Sequence, residues 1–228
     1  MPPAHPEAPL PCVEVRPAAT PRAAVIWMHG LGADGHDFEP LVPQLRLPFP
    51  VGFVFPHAPR RPVTINGGYV MRAWYDIAAL NLARGEDAEG IRASAGKLEE
   101  LIAREIARGI PARRIVIAGF SQGGAMALHT GLRYRERLAG ILALSTYLPL
   151  AGTLAAEAAA ANRDSPIFMA HGREDTVVAL PHALLSRRRL EEAGYPVEWH
   201  EYSTGHGLCP DEIADIRAWL ARVLADDA

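Results

Sequence analysis

Ser121 sits in Gly119-Phe120-Ser121-Gln122-Gly123, with a further glycine at 124. The stretch before it, 115–119, is apolar or small and reads as a buried strand. Residues 124–134 carry a helix-like apolar period. Strand, Gly-x-Ser-x-Gly, helix is the context in which a serine is presented as a nucleophile. The turn is too tight for side chains two positions either side, so both are glycine. The helix N-terminus also aims backbone N–H groups at any anion forming beside the hydroxyl.

A serine hydroxyl needs a base at neutral pH, and an imidazole base needs a carboxylate to hold its tautomer. In open α/β sheets functional groups gather at the carboxyl ends of strands, which restricts the search. His171-Gly172-Arg173-Glu174-Asp175 lies just past one predicted strand, and Thr204-Gly205-His206-Gly207 just past the last. Asp175 is the candidate acid, with Glu174 as its competitor. Asp211 reads instead as a carboxylate in a helix first turn. His206, between two glycines, is the candidate base; His171 is the alternative, but it abuts a strand end, where packing or hydrogen bonding is the preferred explanation. An oxyanion needs two donors. One is the Gln122 backbone N–H. The other is the Leu31 N–H, in the loop His29-Gly30-Leu31-Gly32 after an early strand.

The elements that must carry these groups alternate. Apolar runs at 23–29, 51–55, 115–119, 140–145, 167–171 and 197–202 read as strands. Periodic segments at 38–45, 87–108, 124–134, 150–161, 182–193 and 211–224 read as helices. Alternation of this kind predicts a mostly parallel α/β sheet covered on both faces. Residues 12–16 alternate and are a possible edge strand within a flexible Pro/Ala-rich segment, 1–21; the domain proper is 22–228. The segment 57–87 is roughly thirty residues without a period, and such loops usually carry function. Its Trp74 and Tyr75 either anchor the loop or wall an acyl groove.

Composition excludes several classes. The chain has 228 residues, is 49% hydrophobic and 21% charged, and carries a net charge of −3. No basic stripe points to nucleic acid. Two cysteines, Cys12 and Cys209, give no disulfide framework and agree with a reducing, cytoplasmic compartment. The N-terminus lacks the apolar core of a signal peptide. No apolar run is long enough to span a bilayer, so stable membrane insertion is not expected. The nine histidines show no metal-binding spacing.

Taken together, His29-Gly30-Leu31-Gly32, Pro56-His57-Ala58-Pro59 with Thr64-Ile65-Asn66, Trp74-Tyr75-Asp76, Gly119-Phe120-Ser121-Gln122-Gly123-Gly124, His171 through Asp175, and Gly205-His206 resemble the phospholipase/carboxylesterase branch of the α/β-hydrolases. That branch includes acyl-protein thioesterases and small bacterial carboxylesterases, and segment 56–77 looks closer to the latter. The resemblance implies a single α/β-hydrolase domain, a triad of Ser121, Asp175 and His206, oxyanion donors at Leu31 and Gln122, and no cofactor or metal. It also implies an acyl site near Trp74; Tyr75 and Leu208 are further candidate substrate contacts. The expected activity is hydrolysis of short- to medium-chain acyl esters by a monomer or homodimer. Thioester or lysophospholipid hydrolysis by the same groups is the alternative. A catalytically silent binding protein of this fold is the reading from another class.

Overall fold

Side chains along the apolar strands alternate between two separate cores, and that division organises the fold. The structure, a computed structural model, describes residues 9–79 and 85–225. The Pro-rich positions 1–8 of the N-terminal segment, five positions of the long segment 57–87, and the last three of the chain lie outside the described residues.

Among the described residues seven strands form one sheet. In chain order they are β1 (Cys12–Val15), β2 (Ala23–Met28), β3 (Val51–Pro56), β6 (Ile115–Phe120), β7 (Gly140–Leu144), β8 (Ile167–Gly172) and β9 (Val197–Tyr202). Their spatial order is β1-β3-β2-β6-β7-β8-β9. Only β1 runs antiparallel, pairing with β3; the remaining neighbours are parallel. Two further strands, β4 (Arg60–Val63) and β5 (Tyr69–Arg72), form a separate antiparallel hairpin.

The helices are α1 (Val42–Leu45), α2 (Ala88–Ala107), α3 (Gln122–Arg133), α4 (Leu154–Glu157), α5 (Leu180–Glu192) and α6 (Pro210–Val223). On β2, Ala24, Ile26 and Met28 enter the core beneath α2, α3 and α5, with Ile91, Leu98, Leu128 and Leu190. Ala23, Val25 and Trp27 enter the opposite core beneath α1 and α6, with Leu45, Ile216 and Trp219. A parallel strand buried on both faces has no polar face, which is why β2, β6 and β8 are continuous apolar runs. The Asp87 carboxylate caps α2 by accepting from the Gly90 N–H at 2.8 Å.

Three segments differ from the sequence expectation. The helix after Ser121 begins at Gln122, not 124, so the serine adjoins the helix N-terminus directly. Segment 150–161 is one α-turn between two 3-10 turns; Leu150 and Leu154 are its only buried apolar side chains, too few to hold a longer helix against the core. The long segment contains the β4–β5 hairpin, whose strands include Pro62, Arg60 and the exposed Tyr69 and Val70. A two-stranded ribbon outside the main sheet has no buried face to impose a period. No helix among the described residues is long and apolar enough to cross a membrane.

Candidate active site

The β6–α3 corner holds Ser121 at φ 54° and ψ −121°, a conformation that non-glycine residues avoid and that persists only where the surroundings enforce it. The enforcement is visible. A Cβ at Gly119 would lie 2.1 Å from the Gly123 carbonyl oxygen, and one at Gly123 would lie 2.3 Å from that of Met28. The Ser121 N–H donates to the Leu144 carbonyl at 2.8 Å. Its own carbonyl accepts from the Thr146 hydroxyl at 2.7 Å. Both hydrogen bonds tie the corner to the end of β7 and the residues just past it.

Asp175 and His206 come from different loops that the backbone zips together. The Arg173 N–H donates to the Tyr202 carbonyl at 2.8 Å and the Glu174 N–H to that of Thr204 at 3.0 Å. Gly172 permits this approach, since a Cβ there would meet the Gly205 and Thr204 carbonyl oxygens at 2.3 Å. Asp175 is buried, whereas its competitor Glu174 is exposed. One Asp175 oxygen accepts from the Val177 and Val178 N–H groups, both at 2.9 Å. The other lies 2.7 Å from His206 Nδ1. A carboxylate can only accept, so Nδ1 carries the proton and Nε2 is left with its lone pair. The His206 ring packs on Phe120, centroid to centroid 4.7 Å, next to Ser121.

His171 takes another part. It is buried, its Nε2 donates to the Val178 carbonyl at 2.7 Å, and burial pushes its pKa down. It braces the turn that carries Asp175. Asp211 is exposed in the first turn of α6.

Leu31, Ser121 and Gln122 share the wall of one cavity of about 80 Å³. Gln122 is the first residue of α3, and a first-turn N–H has no acceptor within its own helix. The loop carrying Leu31 is braced from several sides. The Ala58 N–H donates to His29 Nε2 at 3.1 Å, so Nδ1 carries the proton and donates to the Gly30 carbonyl at 2.7 Å. Burial pushes the His29 pKa down to about 4, keeping the ring neutral as that hydrogen bonding requires. The Gly32 N–H reaches the Arg72 carbonyl at 2.9 Å.

The substrate-contact expectations separate. Tyr75 lines the cavity, together with Ile77, Ala79, Tyr147, Val177, Val178 and His182. Trp74 does not. It is fully buried, its indole N–H donates to the His29 carbonyl at 2.9 Å, and its backbone N–H donates to Gln122 Oε1 at 2.8 Å. The Gln122 amide in turn donates to the Tyr75 carbonyl at 2.8 Å. Trp74 thus ties the long segment to the loop after β2 and to the start of α3, and the adjacent Tyr75 faces the cavity. Leu208 also lies off the cavity, packed half-buried against the core beneath α6. A larger open groove, about 850 Å³ between 151–160 and the end of α5, contains none of Ser121, Asp175 and His206. Tyr147 was missed at the sequence level, although it follows the carboxyl end of β7 and the strand-end rule points there.

Glu212 lies in the first turn of α6, just past the histidine loop. It is buried, and burial pushes its pKa up to about 7, against the lowering effect of the Cys209 N–H. The native state therefore holds a proton that the unfolded chain releases near the ordinary value of 4.5. The associated stability is complete below that value and is lost as pH rises through about 7, on the order of 3 kcal/mol in all. Glu212→Gln is expected to raise the melting temperature at pH 8 by several degrees and to leave it nearly unchanged at pH 5. Equal effects at the two pH values would contradict a buried, proton-holding carboxyl.

The sequence profile of the phospholipase/carboxylesterase family matches residues 11–224. Acyl-protein thioesterase 1 of Yarrowia lipolytica is 41% identical over 219 residues, covering 93% of this chain and 96% of that protein. The protein of the same name from Neurospora crassa is 44% identical over 213 residues, covering 89% and 87%. The crystal structure of Zea mays acyl-protein thioesterase 2 superposes with a TM-score of 0.84 at 32% identity, covering 94% of this chain and 99% of the other. The Bacillus cereus carboxylesterase shares the fold, with a TM-score of 0.77 at 20% identity, covering 95% and 96%. A match of this extent, over one uninterrupted α/β domain, makes the chain a member of the phospholipase/carboxylesterase family of α/β-hydrolases, and a serine hydrolase.

Proposed function

We propose that the protein hydrolyses short-chain carboxylic esters through an acyl-enzyme on Ser121. The observation that carries this reading is the 2.7 Å contact between Asp175 and His206 Nδ1, with the His206 ring packed on Phe120 beside the strained serine. Ser121 Oγ attacks the ester carbonyl carbon while His206 Nε2 takes its proton. The Leu31 and Gln122 N–H groups receive the oxyanion. The same imidazolium gives its proton to the departing alcohol. Water, deprotonated by His206, then attacks the acyl-enzyme and frees the acid and Ser121. No cofactor enters any step.

A cavity of about 80 Å³ is small beside the roughly 300–1,000 Å³ of a typical small-molecule pocket, which favours short acyl chains over long ones. A second reading, hydrolysis of acyl thioesters, is favoured by the thioesterase relatives at 41% and 44% identity. Both substrates present an acyl carbonyl to the same groups.

Two measurements test this. A fluorophosphonate is expected to label the protein once, on Ser121. Values of kcat/KM for acetyl, butyryl and octanoyl groups, as oxygen esters and thioesters in parallel, are expected to fall beyond butyryl in both series. Absence of labelling would favour the silent binding protein; a maximum at octanoyl would refute the short-chain assignment.

A further inference from the structure

The acyl cavity contains a polar spot that ester hydrolysis does not use. The hydroxyls of Tyr75 and Tyr147 lie 2.8 Å apart, and both side chains line the cavity with Ser121. Two phenols carry two hydroxyl hydrogens, and their mutual bond uses one. Among the described residues that bond is the only hydrogen bond either hydroxyl makes. The second hydrogen therefore has no acceptor among the described residues. Tyr75 is buried and Tyr147 half-buried, so an acyl chain filling the cavity would displace the water able to accept it.

Much of the remaining wall is aliphatic, including Leu31, Ile77, Val177 and Val178. The Gln122 amide is committed to the backbone of Trp74 and Tyr75. Burial pushes the Tyr147 pKa up to about 12 and that of Tyr75 well above its ordinary value, so the pair remains a neutral donor across any working pH.

We propose that the Tyr75–Tyr147 pair selects short acyl groups bearing an oxygen acceptor, such as an ether, hydroxyl or keto oxygen, over all-carbon chains of equal length. This rests on the serine-esterase reading above. An all-carbon chain strands the second phenolic hydrogen without a partner, and an oxygen in the chain accepts it. Leaving one buried donor unsatisfied corresponds to roughly a ten-fold loss or more.

The test uses matched nitrophenyl esters: methoxyacetyl against butyryl, and 3-methoxypropionyl against pentanoyl. Each ratio of kcat/KM is divided by the ratio of hydroxide-catalysed rates for the same two esters, which removes the intrinsic activation by oxygen. For the wild-type protein the corrected ratio is expected to favour the oxygenated ester about ten-fold or more in at least one pair. In the double variant Tyr75→Phe/Tyr147→Phe it should fall to near one. Either single Phe variant leaves one hydroxyl still able to donate and should retain much of the preference. A corrected wild-type ratio near one in both pairs would overturn the proposal even if the double variant does not fold, as would a preference that survives in a folded double variant. If the wild-type protein cleaves neither ester and escapes fluorophosphonate labelling, the esterase reading fails and this proposal falls with it. Cleavage of both esters with labelling but no oxygen preference rejects this proposal alone.

Discussion

Ser121→Ala is expected to keep the fold and to lower kcat by about 10⁴- to 10⁶-fold, the loss found when a nucleophile of this kind is removed. The substitution deletes one oxygen and keeps the Cβ. The contacts that hold the corner are backbone-mediated on the serine's side: its N–H to Leu144 and its carbonyl to Thr146. Neither depends on the hydroxyl. The unusual φ of 54° is also unchanged, because alanine meets the same steric limits as serine. A thermal melt should therefore superpose closely on that of the wild-type protein, while nitrophenyl ester turnover and fluorophosphonate labelling disappear together. An Ser121→Ala protein that turns over esters near the wild-type rate would show that another group attacks the carbonyl.

Asp175→Asn should cost about 10⁴-fold in kcat, through a tautomer and not through lost packing. One carboxylate oxygen of Asp175 is held by the Val177 and Val178 N–H groups at 2.9 Å, leaving the other to His206 Nδ1 at 2.7 Å. In asparagine the two backbone donors claim the amide oxygen. The NH₂ group then faces His206 Nδ1 and requires that nitrogen to accept. The imidazole proton moves to Nε2, the nitrogen that should take the proton of Ser121, and the base is lost. Glu174→Gln is the control: Glu174 is exposed, and its removal should change kcat less than two-fold. Asp175→Asn activity within ten-fold of wild type, or a larger loss from Glu174→Gln, would reject Asp175 as the residue that orients the histidine.

Much of this architecture was legible in the sequence because buried parallel strands leave a one-dimensional record. A strand covered on both faces must be apolar throughout, so β2, β6 and β8 appear as uninterrupted runs, and Gly109 and Gly194, both at positive φ, mark where α2 and α5 give way to turns. The corner at Ser121 was legible for a related reason. Gly119 and Gly123 are positions where any side chain would meet a carbonyl oxygen, so steric exclusion is written directly as residue type. The order of strand ends along the chain likewise narrowed the candidates for the acid and the base to two short loops.

Which carboxylate of the 171–175 loop meets His206 was decided only by the tertiary structure. Asp175 and Glu174 are adjacent carboxylates, and a loop has no period to say which one turns inward. The backbone pairing of 173–174 with 202–204 makes that choice, burying Asp175 against His206 and leaving Glu174 in solvent. Trp74 and Tyr75 divide in the same way. Both are large aromatics in one irregular segment, but the Gln122 amide brackets their backbone, from the Trp74 N–H to the Tyr75 carbonyl, with one ring beneath the loop after β2 and the other in the cavity wall. Tyr147 joins Tyr75 across a separation of 72 residues. Apolar period and glycine placement report what a residue's own backbone requires. The direction of a loop side chain depends on contacts with strands distant in sequence, and those exist only once the sheet has formed.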